Sequence, residues 1–295
     1  MRAILPLRGR NAIVTGASRG LGVYIARELA STGVNLALVA RTRDAVAELA
    51  RELASTGVKT VAIAADLTDL ARLGAVVSEA EAALGATDIL VNNAGIDGIR
   101  VYADEPDEQT EHLLQLNLAS PMLLTRKVLP GMLARKRGHV VNIASLAGKT
   151  STPFSVSYSA SKAGLVGFSL SLRAELHGSG VSASVICPGF VTGEGMWAKQ
   201  EAAHGVQVAA LLGTSRPEQV ARAVRVALRD DRAEMAVNPG PIRMVQVLHQ
   251  VSPDLVSWFQ ERMLGLRGML RTLALSESAE RAERAESGTQ TGDRR

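Results

Sequence analysis

The sequence predicts an α/β fold in which a doubly wound parallel sheet carries helices on both faces. Three observations support it. Short apolar runs rich in β-branched residues recur along the chain, amphipathic stretches at helical spacing separate them, and 295 residues, 46% of them hydrophobic, suffice to bury one large core. Strand followed by helix, repeated six or seven times, requires right-handed crossovers that cover both faces of one sheet.

The predicted strands are residues 12–15, 34–40, 58–65, 89–92, 140–144, 181–187 and 235–238. Each is short and largely apolar, as a strand covered on both faces must be. Residues 44–55 read as helix because Val46, Leu49, Ala50 and Leu53 recur on one face. Residues 23–31, 106–135 and 157–175 are the helices after the first, fourth and fifth strands. Beyond Asn238 the alternation stops. Leu255, Phe259, Met263, Leu266, Leu270 and Leu273 then fall on one stripe, while Gly265 and Gly268 weaken a single long helix. The expected division is one α/β domain over 1–240, a helical extension over 241–275 packed on that domain or on a partner subunit, and a polar, disordered tail over 276–295.

The chain has 33 basic and 29 acidic side chains, a net charge of +4. Seven arginines and a single acid fall in residues 1–43, which leaves the remainder slightly acidic. The basic excess is local, so it argues against a nucleic-acid surface and for a small anion met by the N-terminal segment. Cys187 is the only cysteine, which excludes an internal disulfide and reads as a small buried hydrophobe. No metal site is expected. The opening MRAILPLRGR lacks the apolar core of a signal peptide and no stretch reaches 18 uninterrupted apolar residues, so the expected location is the cytoplasm.

The first strand runs into TGASRGLG, residues 15–22. Gly16, Gly20 and Gly22 sit where the strand turns into a helix, with Ser18, Arg19 and Leu21 in the same turn. Glycine permits a tight turn and close backbone approach, and the following helix N-terminus offers free N–H groups to a dinucleotide pyrophosphate. An NAD-preferring site has an acid at the end of the second strand to hold the ribose 2′-hydroxyl. Here Ala40 stands in that place, followed by Arg41 and Arg43. Guanidinium groups suit a phosphate, so the expected cofactor is NADP(H) in preference to NAD(H).

TGASRGLG, NNAG at 92–95, Ser145 beyond the strand VVNIA, and YSASK at 158–162 together resemble the short-chain dehydrogenase/reductase family, in its reductase-type branch, over residues 8–240. The resemblance implies a Rossmann-type sheet of order 3-2-1-4-5-6-7, with cofactor and substrate held by the one domain. It also implies a catalytic set of Asn117, Ser145, Tyr158 and Lys162. Tyr158 and Lys162 lie four apart on a helical segment and so share a face. A neighbouring ammonium favours the phenolate, which is expected to lower the phenol's pKa and fit Tyr158 to be the acid or base at a carbonyl oxygen. Ser145 is expected to hydrogen-bond that oxygen. By resemblance, Asn117 holds a water that relays protons from Lys162, and Lys162 also binds the nicotinamide ribose.

Other cofactor contacts carry over by position. Asp66 and Leu67 match the pair at the adenine; Asn92, Ala94 and Gly95 match the turn beneath the ribose; Pro188, Gly189, Val191 and Thr192 match the segment at the nicotinamide carboxamide. Asn92 reads equally as a tie between strands, and Asp66 as the N-cap of the next helix. The substrate walls offer Ile96, Tyr102, Leu146, Phe154, Phe190, Met196 and Trp197, which suit a small hydrophobic carbonyl compound or alcohol, with Lys149 and Lys199 the candidates for an anionic group. A homo-oligomer through the helices 106–135 and 157–176 is expected from the family. The alternative is a cofactor-binding regulatory or membrane-surface protein that uses the C-terminal helix, with Arg262, Arg267 and Arg271 at lipid headgroups.

Overall fold

The computed structural model describes residues 6–205, 213–240 and 242–276. Its strands are β1 (Asn11–Thr15), β2 (Asn35–Ala40), β3 (Thr60–Ala64), β4 (Ile89–Asn92), β5 (Gly138–Ile143), β6 (Val181–Pro188) and β7 (Glu234–Val237). All neighbours are parallel, in the order β3-β2-β1-β4-β5-β6-β7. This is the Rossmann-type sheet that the resemblance implied. Strand β5 opens at Gly138, ahead of its apolar run, because Gly138 and His139 already pair with Val181 and Ser182. The buried His139 ring meets the Ser184 hydroxyl at 2.7 Å.

Helices α1 (Leu21–Ser31), α2 (Arg43–Ala54), α3 (Leu73–Leu84), α4 (Asp107–Leu114), α5 (Ser120–Ala134), α6 (Val156–Glu175), α7 (Met196–His204), α8 (Pro217–Asp230), α9 (Ile242–Val251), α10 (Pro253–Leu264) and α11, residues 266–276, accompany the sheet. Alternate strand residues serve opposite layers. Ala12, Val14, Leu36 and Leu38 pack with Ile25, Leu29 and Val224 of α1 and α8, whereas Ile13, Ala37, Val39 and Leu90 pack with Val76, Leu124 and Val128 of α3 and α5. Each fully buried Val, Leu or Ile contributes about 1.5–3 kcal/mol, so aliphatic side chains suffice where aromatics are scarce.

The helix expected over 106–135 is two helices, α4 and α5, joined by a widened turn over Gln115–Ala119 in which the Ser120 N–H donates to the Gln115 carbonyl. Pro121 is the physical reason: it has no N–H to return to the carbonyl four residues back, that of Asn117. The C-terminal stripe is also divided. Gly265 takes φ +57° and ends α10, so that Leu255 and Phe259 face solvent while Leu266, Leu270 and Leu273 are buried. The tail expected from 276 lies outside the described residues, save Ser276, which closes α11. No helix among the described residues is long and apolar enough to cross a membrane.

Some of the N-terminal arginines find structural roles. Arg10 lies 3.9 Å from the buried Asp88 carboxylate, which also accepts from Arg137 Nε at 2.9 Å, and the Arg8 stem lies against Gly33. Arg2 lies outside the described residues.

Candidate active site

Strand order reverses between β1 and β4, and the carboxyl ends of β1, β4, β5 and β6 carry the predicted site residues to one edge of the sheet. Gly16 and Gly20 adopt φ +67° and +57°. A Cβ on Gly16 would stand 2.8 Å from Ala94 Cα, and one on Gly22 only 2.1 Å from the Gly16 carbonyl oxygen. Gly20 is the N-cap of α1 and supplies no side-chain acceptor to the first N–H groups, which leaves them for an anion. The turn fits the pyrophosphate of a dinucleotide, with backbone close on every side. Gly22→Ala is expected to displace the turn and weaken nicotinamide-cofactor binding at least 10-fold, read by fluorescence titration with NADPH; undiminished affinity would show that the turn tolerates the methyl group.

Thr15 and Asn93 lock this turn, and neither was among the predicted residues. The Thr15 hydroxyl accepts the N–H groups of Asn93 and Ala94, each at 3.0 Å, and Asn93 Nδ2 donates to the Thr15 and Gly16 carbonyls at 2.9 and 3.3 Å. Asn92 instead faces the α5 layer, where Nδ2 donates to Asn142 Oδ1 at 2.8 Å and to Thr125 Oγ1 at 3.3 Å. Its side chain is the tie between strands, while the side chain of its neighbour Asn93 is the one that meets the glycine turn. The second asparagine of NNAG was the available signal: period-two alternation turns one of the pair away from the crevice.

Asp66 accepts from the Thr68 N–H at 2.9 Å and hydroxyl at 2.8 Å. Those bonds, the backbone one foremost, hold its carboxyl below the usual carboxylate range, with Arg41 and His112 adding to the effect. Asp66 is not the helix N-cap, since α3 starts only at Leu73 and Asp69 accepts the N–H groups ahead of it. Leu67 is buried, whereas Arg19, Arg41 and Arg43 are exposed. Among the described residues none of these three arginines makes an ion pair within 4 Å.

Ser145 follows β5 by two residues and caps a short turn, its hydroxyl accepting from the Ala147 N–H at 3.1 Å. Tyr158 and Lys162 project from the first turns of α6, with Lys162 Nζ 5.7 Å from the phenol ring centroid. Lys162 is 3% exposed and donates to the Ile143 carbonyl at 3.0 Å. Asn117 lies in the widened turn before α5, where Oδ1 accepts from Ile96 N–H at 2.9 Å and Nδ2 donates to the Ile96 carbonyl at 2.8 Å. Gly95 brings the set together: a Cβ there would be 3.0 Å from Asn117 Oδ1 and 3.5 Å from Lys162 Nζ. Ser161, also absent from the prediction, accepts from Asn117 and donates to the Tyr158 carbonyl at 2.7 Å.

The phenol's electrostatics reverse the expectation. Burial pushes the Tyr158 hydroxyl up to about 12; the Ser145 side chain, within hydrogen-bonding reach, pulls it down, and Asp97 and Cys187 push it up. Burial also pushes Lys162 down to about 8. The ammonium does not lower the phenol because its proton is directed at the Ile143 carbonyl and burial penalises both charged forms. Cys187 is fully buried and pushed up to about 12, chiefly by burial, so the thiol is neutral packing.

After β6, Gly189 N–H donates to the Val237 carbonyl, and a Cβ there would meet Asn238 Oδ1 at 2.5 Å. Val191 bridges Ser215, and Thr192 N–H donates to the Ser215 carbonyl at 3.0 Å, which fixes the segment following Pro188. Of the predicted substrate walls, Phe154, Phe190 and Trp197 gather in one apolar cluster and Met196 is partly exposed. Leu146 departs from the prediction: it is packed beneath the site with Cys187, Leu165 and Val185, close to Gly189. Lys149 pairs with Glu234 at 3.0 Å; the Lys199 side chain lies outside the described residues.

The fold and this cluster define an oxidoreductase that acts on CH–OH groups with a nicotinamide cofactor. The chain belongs to the short-chain dehydrogenase family, whose model matches residues 10–205. It is 39% identical over 262 residues to the ketoacyl reductase HetN of Nostoc sp., across 86% of this chain and 90% of that protein. That span exceeds residues 1–240, so the likeness takes in part of the C-terminal extension. It is 42% identical to a granaticin polyketide synthase putative ketoacyl reductase of Streptomyces violaceoruber, over 61% of this chain and 67% of that protein. Among solved structures, actinorhodin polyketide ketoreductase with NADPH superposes with a TM-score of 0.72 at 31% identity, over 78% of this chain and 95% of that one. A metagenomic short-chain oxidoreductase in complex with NADP gives 0.68 at 33% identity, over 79% and 99%.

Proposed function

We propose that this protein is an NADP(H)-dependent reductase of hydrophobic ketones, with Tyr158 as proton donor. The observation that carries the reading is the partly buried phenol beside the Ser145 side chain, with Lys162 below its ring. Burial keeps the phenol neutral and proton-bearing at neutral pH, the state from which an acid delivers its proton to a ketone oxygen. Ser145 hydrogen-bonds that oxygen as charge develops on it. Asn117 and Ser161 fix Ile96 and the first turn of α6, and so hold the phenol in place. The nicotinamide cofactor supplies the hydride when bound. The relatives named for ketoacyl reduction support an oxoacyl-type ketone as substrate, and the apolar side chains at Phe154, Phe190 and Trp197 support it from the chain itself. The test is NADPH oxidation with a panel of ketones; no turnover with any of them would sink the reading.

The preference for NADP(H) rests on Ala40 where an acid would hold the 2′-hydroxyl, and on exposed Arg41 and Arg19 beside the glycine turn. A charge-assisted contact to a phosphate contributes about 1.5–3 kcal/mol. Arg41→Ala is accordingly expected to lower kcat/KM for NADPH about 10- to 100-fold while NADH is little affected. Equal losses with the two cofactors would remove Arg41 from the 2′-phosphate. Subunit contacts along α5 and α6 are proposed as well, supported by the exposed Met122, Leu133 and Val156 on those helices.

A further inference from the structure

Helices α9 and α10 follow one another as a single interrupted helix. The Ser252 N–H donates to the Leu248 carbonyl at 2.7 Å and the Val256 N–H to the Ser252 carbonyl at 3.4 Å, so helical bonding carries past Pro253, which has no N–H for the His249 carbonyl. One face of this helix meets the domain. His249 Nε2 accepts the Ser151 N–H at 3.1 Å and lies 2.8 Å from the Ser151 hydroxyl, and Val256 is buried. The outward face is apolar. It carries Met244, Val247, Leu248 and Val251 from α9, then Leu255, Trp258 and Phe259 from α10, each between 37% and 79% exposed. A surface helix ordinarily turns its apolar stripe to the core and its polar side to water. Here a polar anchor faces the domain and the stripe faces water.

The spacing, the area and the charge of the stripe point to what covers it. Met244, Val251 and Trp258 recur every seven residues, as do Leu248 and Leu255. A seven-residue repeat keeps one seam turned towards a partner helix, and over 244–259 that seam is about 24 Å long. At these exposures the seven side chains leave on the order of 700 Å² of apolar surface in water, above the roughly 300–600 Å² of the largest patch on an ordinary monomer and close to the ~800 Å² that each partner of a stable dimer contributes. Within 242–264, Arg243 and Arg262 balance Asp254 and Glu261. A helix lying on an anionic lipid surface needs a basic polar face at the headgroups, which this neutral segment lacks. A second copy of the same neutral stripe meets it without like-charge repulsion.

We propose that the α9–α10 stripe is a self-association surface on which two copies of this chain pack face to face across a two-fold axis, with Val251 near the middle of the seam. The interface lies beyond the family match at 10–205 and is separate from the contacts along α5 and α6. The two halves of the extension then bury their apolar residues in different places: α11 places Leu266, Leu270 and Leu273 against its own domain, and α9–α10 places its stripe against the partner.

The experiment compares the molar mass of the full chain with that of Val251→Glu and of Val251→Lys by sedimentation velocity across micromolar concentrations. The parent is expected to sediment at about twice the mass of either variant, whether its larger particle is a dimer or, with contacts along α5 and α6, a tetramer. Val251 is the most exposed residue of the stripe, so both variants are expected to keep the parent's thermal unfolding midpoint, which separates lost association from lost folding. An equimolar mixture of the two variants is expected to regain the parent's mass, because glutamate on one copy then meets lysine on the other. Equal masses for the parent and both variants overturn the proposal, and so does a mixture no larger than its components. Vesicles of phosphatidylserine and phosphatidylcholine supply the remaining arm: cosedimentation of the parent that Val251→Glu abolishes, with the masses equal, would assign the stripe to a lipid surface instead.

Discussion

Tyr158→Phe is expected to leave a folded protein that binds NADPH with unchanged affinity and reduces ketones at least about 10²- to 10⁴-fold more slowly. Phe keeps the ring that packs over Lys162 and removes only the hydroxyl at Ser145, so the loss reads as chemistry rather than as folding. The pH profile of the unaltered enzyme carries a signed counterpart. Ketone reduction needs the neutral phenol, which persists well above pH 10 because the group titrates at about 12. Reduction is therefore expected to decline first through the neighbourhood of pH 8, where Lys162 loses its proton. Alcohol oxidation needs the phenolate and is expected to rise with pH over the whole range up to 12. Tyr158→Phe turnover within a factor of 10 of the parent would take the proton donor elsewhere. A reduction rate flat from pH 6 to pH 10 would separate Lys162 from the reacting centre.

What the sequence made legible was whatever depends on local pattern. Apolar runs located every strand because strands covered on both faces have no polar alternative, and the glycine turn was visible because only glycine survives 2.1 Å from a carbonyl oxygen. Tertiary properties were not legible. Asn92 and Asn93 are identical letters, and only the strand's pleat decides that Asn93 meets the glycine turn while Asn92 meets Asn142. The widened turn at Gln115–Ala119 hides in a helical pattern whose break depends on one missing N–H. The stripe from Leu255 to Leu273 was continuous on paper, but one left-handed glycine turned its two halves in different directions. The phenol's shift was misjudged in sign because adjacency along a helix says nothing about burial, which here outweighs the neighbouring ammonium.

That burial predicts opposite effects on activity and stability at Lys162. The group titrates at about 8 in the folded chain against 10.5 unperturbed, so at pH 7 the fold carries a buried ammonium at a cost on the order of 3 kcal/mol. The unfolded chain binds more protons than the folded one between about pH 8 and 10.5, so this group's contribution makes stability rise with pH across that window. Tyr158 acts in the other direction: its folded value lies above the unfolded one, and its contribution is lost as pH climbs from 10 towards 12. Lys162→Met removes the ammonium and fills the same volume, but it gives up the hydrogen bond to the Ile143 carbonyl, about 1 kcal/mol. The variant is expected to be about 2 kcal/mol more stable than the parent at pH 7, with the gain shrinking as pH approaches 10, and to lose turnover. Urea unfolding midpoints at pH 7 and pH 10, read beside ketone reduction, check both halves. A lower midpoint at pH 7 would mean that the ammonium is well solvated by its partners, and the strain assigned to this lysine would have to be withdrawn.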